Sequence, residues 1–198
     1  MTLQLFSAIF AFCLVGTITP GPNNLMVMAS GANYGYRRTV PHMLGIAVGF
    51  SVMVALVGLG LMQVFDLYPV VRQVLMVACG AYLLYLAWKI AHAAPPESSD
   101  APEGKPLTFL QAAAFQWVNP KAWAMGMSAI TLYAPERELS YVLLIAACFA
   151  LVAIPSNSAW ILMGQQLRRL LHRPALLRGF NWTMAGLLVA SLVLVLYQ

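Results

Sequence analysis

Apolar residues run along this chain in long blocks and not in alternation. Six blocks, at about residues 3–30, 41–62, 69–88, 107–133, 139–162 and 180–197, are long and apolar enough to read as membrane-spanning helices. A helix rising about 1.5 Å per residue crosses the hydrocarbon core in about 20 residues. The first block exceeds that length: residues 1–36 contain no Asp, Glu, Lys or Arg. Within it lies Thr19-Pro20-Gly21-Pro22-Asn23-Asn24, where two prolines around a glycine must interrupt the helix because proline has no N–H and clashes with the preceding turn. Irregular backbone at membrane depth survives only where protein or a water-filled cavity covers it. The interruption therefore reads as the wall of a binding site. Residues 31–35, with a glycine at each end, read as a turn before Arg37 and Arg38.

The pattern then repeats. Residues 93–106 hold four prolines and three of the six acidic residues, Glu97, Asp100 and Glu103. This marks 91–106 as a cytoplasmic linker between two three-helix repeats, 1–90 and 107–198. Three is odd, so the halves enter the membrane from opposite sides, the geometry of an inverted repeat. The fourth block carries Trp117-Val118-Asn119-Pro120-Lys121, again a proline among polar residues at mid-depth. Pro22 and Pro120 suit the first position of a resumed half-helix, and Asn119 suits its N-cap. Pro155-Ser156-Asn157-Ser158 reads as a third interruption, in the fifth block. The expected fold is an all-α polytopic membrane protein of six transmembrane helices, two inverted three-helix repeats, with proline-broken first and fourth helices. Gly45 and Gly49 form a GxxxG pair, read first as close helix packing within the chain and second as a homodimer seam. His42 reads as an interfacial residue.

Composition agrees: 61% of the 198 residues are hydrophobic, 9% are charged and the mean hydropathy is +0.78, which leaves no length for a sizeable soluble domain. The net charge of +5 points to lipid rather than to nucleic acid. With six spans, Arg37, Arg38, Lys89, Lys105, Arg168, Arg169, Arg173 and Arg178 fall on one side, and Arg72 and Arg137 on the other. That asymmetry places both termini on the periplasmic side, with the cluster at 168–178 anchored at lipid head groups. The amino terminus lacks the basic region and cleavage site of a signal peptide. Cys13, Cys79 and Cys148 stand far apart, which argues against a metal or redox centre, and no cofactor is expected.

Lys121 is the one formally charged residue deep in a block, with about 14 uncharged residues on either side. A lysine at the bilayer centre costs about 2.5–3.5 kcal/mol on insertion scales and calls for a function. Together with the helix amino termini at Pro22 and Pro120 it suits a carboxylate. Asn23, Asn24, Asn157 and the carbonyls near Pro20 and Gly21 suit an ammonium group. No Asp or Glu lies inside any block. The pattern favours a zwitterionic amino acid over a metal cation or polyamine.

The Pro20-Gly21-Pro22-Asn23-Asn24 stretch, the glycines from Gly31 through Gly45 and Gly49, and Asn119-Pro120-Lys121 together resemble the lysine-exporter (LysE/RhtB) family of amino-acid efflux proteins, over essentially the full length. The resemblance implies a secondary exporter in the bacterial inner membrane, not an enzyme, carrying small amino acids or homoserine- and threonine-type derivatives by proton antiport. With no carboxylate in the blocks, Lys121 is the proton-coupling candidate. A divalent-metal or other small-solute exporter of similar architecture is the alternative; it would need ligating side chains that only the three cysteines could supply.

Overall fold

The computed structural model describes residues 2–61, 67–93, 105–134, 137–170 and 174–196. The linker at 94–104, with Glu97, Asp100 and Glu103, lies outside them, as do Asp66, Arg173 and the last two residues. Among the described residues the structure is all helical: α1 Leu3–Ile18, α2 Pro22–Tyr34, α3 Tyr36–Leu56, α4 Pro69–Ala91, α5 Phe109–Phe115, α6 Pro120–Tyr133, α7 Leu139–Leu170 and α8 Pro174–Leu196. A π-helical turn, Val57–Leu61, extends α3, and a 3₁₀ turn, Gln116–Val118, separates α5 from α6. Two helices are long and apolar enough to cross a membrane, Tyr36–Leu61 and Leu139–Leu167. A third span results if α1 and α2, which meet at 55°, count as one broken span.

Local chemistry accounts for the ends. Thr2 caps α1 by accepting from the Leu5 N–H, and Thr108 and Gln111 form a reciprocal capping box at α5. Pro22 and Pro120 each occupy the first turn of a helix, where a missing N–H removes no helical bond. Gly35, at φ 81°, turns the chain between α2 and α3, and Gly60, at φ 105°, disrupts the π-helical turn; both conformations exclude most side chains.

Helices α3 and α7 form the centre. Helix α7 packs along α1, α2 and α3, α3 also packs on α5, and α4 packs on α8. Phe50, Met53, Ile145 and Phe149 fill the core where α3 meets α7, with the Phe50 and Phe149 rings 4.7 Å apart. A second core, around Val27, Leu83, Phe115, Ile161 and Leu188, joins α2, α4, α5, α7 and α8. The outside is apolar as well: Val52, Leu110 and Leu151 are 48%, 75% and 68% exposed. Such a surface suits lipid and would be a liability in water.

Four local expectations change. The segment at 31–35 is not a turn: α2 runs through Tyr34 and only Gly35 leaves the helix. Gly31 is small for packing, because a Cβ there would strike the Ile161 carbonyl of α7. The interruption at Pro155 does not form either, since α7 continues through it. One proline removes one helical hydrogen bond, and α7 is held on both sides of it by packing against three helices. His42 is buried, not interfacial, because α3 begins at Tyr36 and carries it inside. The last helix likewise begins at Pro174, earlier than residue 180.

Candidate functional site

Where α1 stops, its last carbonyls lose their helical partners. Side chains take them over. The Asn24 amide Nδ2 donates to the Thr17 carbonyl at 2.9 Å and to the Thr19 carbonyl at 3.2 Å, and the Trp160 indole Nε1 of α7 donates to the Ile18 carbonyl at 3.2 Å. From α6, the Lys121 ammonium donates to the Thr19 carbonyl, to Thr19 Oγ1 at 2.9 Å and to the Pro20 carbonyl at 3.3 Å. A cation at the second position of α6 sits at the unfavourable end of that helix dipole. Its stem instead crosses Gly21, where a Cβ would fall 2.6 Å from Lys121 Cδ, and carries the charge to the negative end of α1. One lysine thus joins the end of α1 to the start of α6.

The same break is braced from α5. Asn23 Nδ2 donates to Gln116 Oε1 at 2.8 Å, and Gln116 Nε2 donates back to Asn23 Oδ1 at 3.1 Å and to the Ala112 carbonyl at 2.9 Å. Gln116 is fully buried and was absent from the sequence-derived site. Its signal was available, as a glutamine in an apolar run four residues before Pro120.

Between these elements lies a partly open cavity with an empty volume of about 390 Å³. Asn23, Asn24, Asn119, Lys121 and Asn157 line it, together with Thr17 and apolar residues including Phe50 and Met125. Pro20, Gly21, Pro22 and Pro120 contribute backbone geometry instead of lining side chains: Pro20 accepts from Lys121, Gly21 admits its stem, and the other two start α2 and α6. Asn119 departs from expectation. It occupies the N-cap position of α6 but makes no side-chain cap bond, and its Oδ1 is buried without a hydrogen-bond partner. The Ser156 hydroxyl, next to Asn157, is buried and unpartnered as well. Buried polar atoms are rarely left this way, because each costs about 1–3 kcal/mol. Among the described residues, no three His, Cys, Asp or Glu side chains come together as a metal site.

The family model for LysE type translocators matches residues 14–198. The chain belongs to this family. Like these translocators it is a membrane transport protein, of the amino-acid efflux class. It is 31% identical, over the full length of both chains, to proteins named cysteine/O-acetylserine efflux protein from Escherichia coli (strain K12), Escherichia coli O9:H4 (strain HS) and Shigella sonnei (strain Ss046). No solved structure matches the chain. In this LysE-family chain, Asn33 of α2 and Asn181 of α8 form a second reciprocal pair at 3.0 and 3.2 Å, both buried, and Asn181 Nδ2 also donates to the Ala93 carbonyl at 3.3 Å.

Proposed function

We propose that the chain is a secondary active exporter that moves small neutral, zwitterionic amino acids or their derivatives out across the bacterial inner membrane, through the Lys121 cavity. The observation that carries this reading is the cavity's chemistry: one ammonium, several amides, the orphaned acceptor Asn119 Oδ1, and no carboxylate among its described lining residues. A substrate carboxylate pairs with Lys121, and a substrate ammonium donates to Asn119 Oδ1. Both ends of a zwitterion are then met without a buried ion left unpaired. Cysteine and O-acetylserine, the solutes in the relatives' names, are both neutral zwitterions. They are the first candidates here, ahead of homoserine- and threonine-type compounds.

In this reading the chain crosses the membrane six times as two inverted repeats: α1–α2, α3 and α4, then α5–α6, α7 and α8. The packing of α3 on α7 and of α4 on α8 supports it, since each of these helices meets its counterpart in the other half, as elements beside a pseudo-two-fold axis do. Lys121 supplies a means of alternating access. Its three protons are occupied by the end of α1, so a carboxylate must draw the ammonium away and loosen the α1–α2 hinge as it binds. Proton antiport uses the same lysine, which exchanges its proton when neither α1 nor substrate holds it.

Thermal stabilisation of the purified, detergent-solubilised protein tests the reading, against neutral and basic amino acids, homoserine-type derivatives and divalent metals, with Lys121→Ala alongside. A ligand bound only by the folded state raises the apparent stability. Stabilisation by O-acetylserine or cysteine in the wild type and not in Lys121→Ala is the expected result. Stabilisation by a metal or a basic solute alone would overturn it.

A further inference from the structure

A second cavity, with an empty volume of about 420 Å³, opens between α2, α3, α4 and the segment leading into α5. Its polar lining is Ser30, Asn33, Tyr34, His42, Lys89 and Lys105. Three features set it apart from an incidental gap. The chain has only three lysines against eight arginines, and all three lysines line cavities: Lys121 the first, Lys89 and Lys105 this one. Among the described residues no arginine lines either cavity. Next, the imidazole of His42 is 1% exposed, and neither of its ring nitrogens has a hydrogen-bond partner. A neutral imidazole carries one donor and one acceptor, so a buried ring beside a cavity with both unmet leaves hydrogen-bonding capacity for a polar occupant. Finally, α2 forms a wall of both cavities. Asn24 lines the first and Asn33 the second, nine residues apart, or about 14 Å along the helix.

We propose that this cavity is a separate subsite for the carboxylate of a small solute, held by Lys89 and Lys105 with His42 at its floor, from which the solute passes along α2 to Lys121. Two ammonium groups with no carboxylate among the described lining residues select an anionic group. Leu86 and Ile90 offer an apolar wall to the short side chain of the solute. In the six-span arrangement Lys89 and Lys105 lie on the cytoplasmic side, so an exported solute meets this subsite before the central one. That ordering rests on the exporter reading; the anion subsite itself does not.

The chain's three lysines make the test direct. The full-length protein, labelled only with ¹⁵N-lysine and held in nanodiscs of uncharged lipid, gives three lysine backbone resonances, assigned with Lys89→Gln, Lys105→Gln and Lys121→Gln. Each sample is titrated with acetate, O-acetyl-L-serine and dihexanoylphosphatidylglycerol. The expected result is that acetate and O-acetylserine both shift the Lys89 and Lys105 resonances, and still do so in Lys121→Gln. In Lys89→Gln/Lys105→Gln, the concentration of O-acetylserine that half-saturates export from the cytoplasmic face rises about tenfold. Lys89 and Lys105 resonances that stay fixed in acetate and O-acetylserine while Lys121 shifts would overturn the proposal. A response to the phosphatidylglycerol alone would overturn it too, and would assign the cavity to a lipid head group. If no neutral amino acid moves Lys121 while acetate moves Lys89 and Lys105, the exporter reading fails and the anion subsite stands.

Discussion

Lys121 shows how one side chain can serve structure and, in the proposed exporter, transport as well. It satisfies carbonyls that the break at Pro20 leaves open, and it offers the charge nearest the central cavity. Lys121→Gln should therefore lose ligand-induced stabilisation and also lower intrinsic stability. The second effect should be about 1 kcal/mol, allowing for the half-exposed position, or a Tm about 2–4 °C lower by calorimetry. A variant that loses binding with an unchanged Tm would show that the contacts with α1 contribute nothing. The Asn33–Asn181 pair lends itself to a double-mutant cycle. Asn33→Ala or Asn181→Ala alone strands a buried amide and should cost about 1–3 kcal/mol, while the double variant should cost clearly less than the sum. Additive losses in denaturant titrations would show that the pair is not coupled. Asn119 and Lys121, which line the cavity, were legible as candidates because polar groups beside a proline in an apolar run have few structural uses. The pairings of Gln116 with Asn23 and of Asn33 with Asn181 were not legible, because the partners lie 93 and 148 residues apart and only folding brings them together.

Between elements, close approach depends on small residues. A Cβ on Gly164 of α7 would strike the Met28 carbonyl of α2, and one on Gly45 or Gly49 of α3 would strike the backbone of α5 at Phe109 or Ala113. Gly164→Leu must separate two backbones rather than displace a flexible side chain, so it should destabilise by about 1–3 kcal/mol or more, read as lost yield of monodisperse protein and a lowered Tm. Wild-type behaviour would mean that the α2–α7 crossing is looser than it looks. The GxxxG pair of α3 is spent on contact within the chain, against α5, as its first reading held. Pro22→Ala and Pro120→Ala should impair transport by allowing the half-helices to fuse across the breaks; full turnover in reconstituted vesicles would leave Asn24 and Lys121, not the prolines, as what keeps them apart. The different outcome at Pro155 shows why a proline alone does not decide. At Pro20–Pro22 the freed carbonyls find Asn24, Trp160 and Lys121, whereas α7 is packed too extensively to part.

For the whole molecule the proposed exporter requires a fixed orientation and a coupling ion. Alkaline phosphatase fused after Gln198 should be active in the periplasm, as six spans with basic residues inside demand. An inactive fusion, with an active one at the linker, would reverse the topology. Export of O-acetylserine from sealed vesicles should follow an imposed pH gradient. A rate indifferent to that gradient would remove proton antiport and, with it, the coupling role of Lys121.

The sequence by itself determined the membrane-protein class, the family and the places where helices begin after a break. These follow from local properties: block length, the absence of charge, and the missing N–H of proline. Only tertiary structure decided which polar groups meet. It joined Lys121 to the carbonyl end of α1, paired Asn23 with Gln116, buried His42 and left Asn119 Oδ1 buried without a partner beside a cavity. In an apolar interior each polar group must find a partner, and that partner depends on which helix faces which.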